Sequence, residues 1–227
     1  MMQLKKFFTR MTGIKFFLLA AIILSCLVLS PLISFSAWPA HLLPTRAVSG
    51  NYTRPVPEAH IPEFSLSFDS QGHNQCAGYA AAFVQRYFGQ ETYGARVYEQ
   101  ISYQLPFDIG VPPHRLLTHF EKNNLKAAAR LGNLQHIKHY SAREIPVIVL
   151  VGEGIRWQHY MVLLGYNQEK GELYFYDSEV TEPQFNRENP GNRTLSEQDF
   201  LKIWQNRLPG FSQLFITVEP RDERNLI

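Results

Sequence analysis

Helical patterning dominates the first half of the folded part of this chain, and strand-like runs dominate the second. The stretch "CAGYAAAFVQRYFG" is rich in alanine and closed by Gly89, which predicts a helix over residues 75–87. Residues 94–104 and 112–123 predict two more, the latter with Pro113 in a first turn, where a missing N–H costs nothing. Ser141 and Glu144 have capping-box spacing and predict one short helical turn starting there. Directly after it, "PVIVLV" at 146–151 is a β-branched run suited to a buried strand. The runs "WQHYMVLLGYN" and "KGELYFYDS", joined by polar residues 167–171, predict a hairpin. An amphipathic helix at 196–204 and a strand at 213–218 complete the pattern. Helices first and strands later predict an α+β domain, with N-terminal helices packed on an antiparallel sheet.

Ahead of this domain, residues 16–35 read "FFLLAAIILSCLVLSPLISF", 20 residues without a charge, preceded by Lys5, Lys6, Arg10 and Lys15. About 20 apolar residues span a bilayer core as a helix. Residues 1–36 are therefore expected to be a hydrophobic-helix signal anchor, or a signal peptide cleaved after Ser36, for which Ser34 and Ser36 are suitably small. The basic flank places the domain outside the cytoplasm: membrane-anchored in the periplasm or at the cell surface, or secreted if the signal is cleaved. Five prolines in residues 37–70 predict an extended spacer over 37–60. The domain is then expected at 61–220 and a charged tail at 221–227.

The hydrophobic fraction of 45% suits one core. Of the 22 Lys and Arg residues four precede residue 16, which leaves 18 against 20 Asp and Glu in the remainder. That slightly acidic balance lacks the basic stripe of a nucleic-acid binder. Cysteine usage is more informative. Cys26 lies in the apolar run, so Cys76 has no intramolecular disulfide partner in an exported domain, and such a thiol is either buried or used.

Cys76 begins a predicted helix, where unpaired backbone N–H groups and the helix dipole favour a thiolate. In isolation the same residue serves equally well as a small buried hydrophobe. A nucleophilic thiolate needs an imidazole oriented by a third group. His159 opens the first strand of the predicted hairpin and Asp177 closes the second, so the hairpin register brings them together. Gln71, in the polar loop before Cys76, can offer a side-chain amide to an oxyanion beside the backbone N–H of Cys76. Trp157 and Tyr160 flank His159 and fit either a substrate groove or the core. His136 and His139 have the spacing of a helical metal pair, but no cysteine or acidic cluster adjoins them, and no metal site is expected.

Taken together, "QGHNQCAGYAAAFVQRYFG", "PVIVLV", "QHYMVLLGYN" and "LYFYDS" resemble the papain-like cysteine peptidases of the C39-like group, relatives of the bacteriocin-leader peptidases. The resemblance covers residues 71–178. It implies Cys76 as nucleophile, His159 as general base, Asp177 as its orienting carboxylate and Gln71 as oxyanion donor. It further implies a peptide or protein substrate and no metal or organic cofactor. Three positions depart from the group's pattern: Cys76-Ala77-Gly78 replaces Cys-Gly, Gln71 lies five rather than six residues before the cysteine, and Asp177-Ser178 replaces Asp-Pro. Two other functions remain open: an acyltransferase of the transglutaminase type using the same triad, and a catalytically inactive peptide-binding or assembly module at the membrane.

Overall fold

The structure is a computed structural model that describes residues 56–61, 67–103, 110–180, 190–208 and 210–221. The apolar run at 16–35, most of the expected spacer and all but the first residue of the expected tail lie outside the described residues. Among the described residues, no helix is long and apolar enough to cross a membrane.

In chain order the elements are β1 (Ala59–His60), α1 (Cys76–Tyr87), α2 (Gly94–Ile101), α3 (Pro113–Lys122), β2 (Leu125–Leu131) and α4 (Leu134–Ser141). They continue with β3 (Val147–Gly152), β4 (Gln158–Asn167), β5 (Glu172–Tyr176), β6 (Arg193–Ser196), α5 (Glu197–Trp204) and β7 (Leu214–Pro220). The sheet runs β2-β7-β3-β4-β5-β6, with every pair antiparallel. Beyond the start of β3, β1 pairs with the last two residues of β4. Residues 57–60, expected in the spacer, therefore lie against the sheet, and Gln168 bonds the carbonyls of Pro57 and Glu58.

The architecture is α+β, but helices and strands interleave more than the sequence pattern suggests. β2 and α4 fall between α3 and β3, where the pattern shows neither, whereas α5 ahead of the last strand is as expected. Successive side chains of a strand point to opposite faces. Phe175 accordingly packs on Phe200 of α5, with ring centroids 5.2 Å apart, while its neighbour Tyr176 stacks on Phe83 of α1 at 4.5 Å. Helices thus cover both faces of the sheet. The main core lies on the α5 side, where Val147, Val149, Met161, Leu163 and Phe215 surround Trp204.

α1 is buried almost all round, and its alanines let neighbouring elements approach closely. A Cβ at Gly78 would lie 2.5 Å from the Tyr98 Cβ and 2.6 Å from the Tyr98 backbone N. This close crossing of α1 and α2 accounts for a residue that otherwise weakens a helix. The expected turn at Ser141 is present, the Glu144 N–H bonding the Ser141 carbonyl at 2.9 Å, but it follows the end of α4 rather than starting a helix, and Glu144 has φ +57°. The helix start lies further upstream, at Asn133, whose side chain accepts from the His136 N–H.

Candidate active site

Cys76 is the first residue of α1, and no side chain caps that helix, whereas Asn133 and Ser196 cap α4 and α5. Its first-turn N–H groups are therefore free of the usual side-chain acceptor. Cys76 is a free cysteine, 9% exposed. Near the start of β4, His159 is 3% exposed, and Asp177, the residue after β5, is fully buried. The β4–β5 pairing aligns Val162 with Tyr176, with one bulge between Leu163 and Gly165, and continuing that register sets Asp177 diagonally across from His159, on the same face.

The His159 Nε2 lies 2.7 Å from the Asp177 Oδ1, leaving Nδ1 for the thiol. Burial works against a charged ring, but hydrogen bonds to Asp177 and Cys76, together with their charges, push the His159 pKa up to about 10. The indole of Trp157 stacks on the imidazole, 5.8 Å between centroids and 17° between planes. Trp157 is 38% exposed and Ile155 84%, so the loop before β4 presents apolar surface beside the histidine. Tyr160 is placed otherwise: it is buried, and its hydroxyl donates to the Val111 carbonyl at 3.0 Å.

Asp177 is held by more than its histidine. Burial alone raises a carboxyl pKa, yet the bond to His159, the Glu179 N–H at 2.9 Å and the Arg193 guanidinium together hold it below the usual carboxylate range. Arg193 Nη1 reaches Oδ2 at 2.7 Å. Asn192 clamps the backbone of the same residue, its Oδ1 accepting from the Asp177 N–H and its Nδ2 donating to the Asp177 carbonyl, both at 2.7 Å. At the start of β4, Gln158 and Asn206 exchange amide hydrogen bonds of 2.9 and 2.6 Å.

Gln71 lies beside the residue that follows Asp177. Its N–H donates to the Ser178 carbonyl at 2.7 Å, and the Ser178 hydroxyl donates to its Oε1 at 2.6 Å. The preceding residues are tied to the same region. Tyr176 donates to the Asp69 carbonyl at 2.8 Å, and the Asp69 carboxylate pairs with Arg86 of α1 at 3.0 Å.

The structure thus gathers Cys76, His159 and Asp177, and fastens Gln71 to the Asp177 loop. Sequence reasoning missed the roles of Asn192, Arg193 and Asn206: Asn192-Arg193-Thr194 matches a glycosylation acceptor, yet Asn192 is buried and bonded to Asp177, and Asn206 sits in no local pattern. The donor atoms of His159, Asp177 and Glu179 lie within 4.8 Å of one another, but the oxygens of Asp177 are already engaged by His159, Arg193 and a backbone N–H. His136 Nδ1 accepts from the Asn133 N–H and closes a capping box, a structural use for one member of the His136–His139 pair.

No protein-family model matches the chain, and no curated protein matches it either. Solved structures do. The peptidase domain of Streptococcus ComA, a bifunctional ABC transporter of a quorum-sensing pathway, superposes with a TM-score of 0.50 at 19% identity, over 67% of this chain and 96% of that domain. A Bacillus anthracis protein assigned as a C39-like peptidase gives a TM-score of 0.52 at 15% identity, over 70% of this chain and 96% of its own. The chain has the papain-like fold of the C39-like peptidases.

Proposed function

We propose that this protein is a cysteine peptidase acting through a Cys76–His159–Asp177 triad. The observation that carries the reading is the position of His159, bonded to the buried Asp177 and drawn toward protonation by both Asp177 and Cys76. A Cys76 thiolate attacks a peptide carbonyl: the Sγ–C bond forms and the carbonyl π pair moves onto oxygen. The backbone N–H of Cys76 and the Gln71 amide receive that oxyanion. Collapse breaks the C–N bond while the imidazolium gives its proton to the leaving amine. His159 then takes a proton from water as it attacks the thioester, and collapse of that intermediate breaks the C–S bond, releasing the acid and restoring the thiolate–imidazolium pair. These steps use protein groups and water.

Asp177 keeps the ring in the orientation that serves the thiol, and Arg193 and Asn192 keep Asp177 in place. Exposed Ile155 and Trp157 offer apolar contact to a peptide entering beside His159. The expected location outside the cytoplasm, anchored or secreted, belongs to the same proposal. The test is a peptide-library digest by wild type and Cys76→Ala: products that need Cys76 support the reading. If both variants give the same products, or none, it fails. An added amine that diverts product into ligated peptide would indicate the transferase instead.

A further inference from the structure

We propose that Ser178 is a positioning residue that fixes the rotation of the Gln71 amide so that its Nε2, not its Oε1, faces the developing oxyanion. The inference rests on the peptidase reading above. A glutamine amide is chemically two-sided, an acceptor on one side and a donor on the other. Turned the wrong way at an oxyanion site, it opposes the charge that it should stabilise. The Ser178 hydroxyl, on a residue only 2% exposed, donates to Oε1 at 2.6 Å and so engages the acceptor side of the amide. Nε2 is left to point away from Ser178.

A second link fixes the backbone of Gln71 beside the same residue, because the Gln71 N–H donates to the Ser178 carbonyl at 2.7 Å. Adjacent residues repeat the connection: Ser70 Oγ bonds the Val180 carbonyl at 3.3 Å, and Tyr176 bonds the Asp69 carbonyl at 2.8 Å. The oxyanion arm is thereby registered to the loop that begins at Asp177. A proline at 178, as in the Asp-Pro pattern of the resembling group, has no hydroxyl to perform this task.

Two rates on the same thiol test this. Acylation of Cys76 by p-nitrophenyl acetate builds an oxyanion, whereas alkylation by iodoacetamide builds none. Ser178→Ala is expected to slow acylation by about tenfold, roughly the value of one hydrogen bond, and to leave alkylation unchanged. Gln71→Ala is expected to slow acylation on the order of 100-fold, as for other lost oxyanion donors. In that background Ser178→Ala should have no further effect. Gln71→Glu, which keeps an acceptor for Ser178 and removes the donor, should lose as much as Gln71→Ala, and Ser178→Thr should keep the wild-type ratio of the two rates. A wild-type ratio in Ser178→Ala overturns the proposal and leaves the peptidase reading intact. Equal loss of both rates, or a Ser178 effect that persists without Gln71, also overturns it. A wild-type Cys76 that releases no nitrophenolate overturns the peptidase reading with it.

Discussion

The His159 imidazole and the Asp177 carboxylate meet at 2.7 Å in the interior, brought there by adjacent strands of one hairpin. Neither side chain has appreciable contact with solvent. Each therefore depends on the other for its charge, and each changes the pH range over which the fold is stable.

For His159 the folded pKa, pushed up to about 10, lies above the ordinary 6.5. Its stabilising contribution is full below about pH 6.5 and is lost as pH rises through about 10. Asp177 shifts the other way, so its contribution is present above the ordinary carboxylate range near pH 4 and is lost as pH falls below it. Urea midpoints measured from pH 4 to 10 should decline above about pH 6.5 in the wild type, and this slope should flatten in His159→Ala. A wild-type midpoint that is level across that range contradicts the assigned bond.

Arg193 shares the carboxylate with His159. Replacing it with glutamine removes a charged donor from a fully buried group, but the guanidinium is 38% exposed and partly screened. The expected loss is about 1 kcal/mol. Acid unfolding should also begin at a higher pH than in the wild type, because Asp177 loses one of the partners that favour its charge. Circular dichroism during acid titration reads both effects; unchanged curves would show that Arg193 is a bystander.

Gly78, the one glycine of α1, sits where there is no room for a side chain. An alanine there drives a Cβ to 2.5 Å from Tyr98, with backbone 2.6 Å away, so α1 and α2 must separate. Overpacking of this kind costs about 1–3 kcal/mol. Thermal melts should show Gly78→Ala below the wild type, with Ala80→Gly as a comparison that loses helix propensity without a clash.

The parts of the fold legible in the sequence are those with strong local signals. The helix Cys76–Tyr87 and the hairpin of β4 and β5 begin and end near their expected limits because alanine content, Gly89 and the polar turn at 167–171 act locally. Strand β2, "LKAAARL", was not legible: alanine favours helix in isolation, and only seven pairings with β7 hold it extended. β6, at four residues, is too short to show a period. The same division applies to the site. Cys76, His159 and Asp177 sit at the ends of elements that sequence predicts, whereas Asn192 and Arg193 reach Asp177 from a separate strand, through a pairing of β5 and β6 that no local pattern announces.

The most direct test of the central claim is the rate of Cys76 alkylation by iodoacetamide at pH 6 and pH 8, in the wild type and in His159→Ala. A free thiol, with its ionisation centred near 8.5, reacts on the order of 100-fold more slowly at pH 6 than at pH 8. On the proposed triad, with the proton on His159, the wild type should react at nearly the same rate at both, and His159→Ala should regain the steep dependence of a free thiol. A wild-type rate that falls as steeply as that of the mutant, or a Cys76 that does not react while the domain is folded, contradicts the triad.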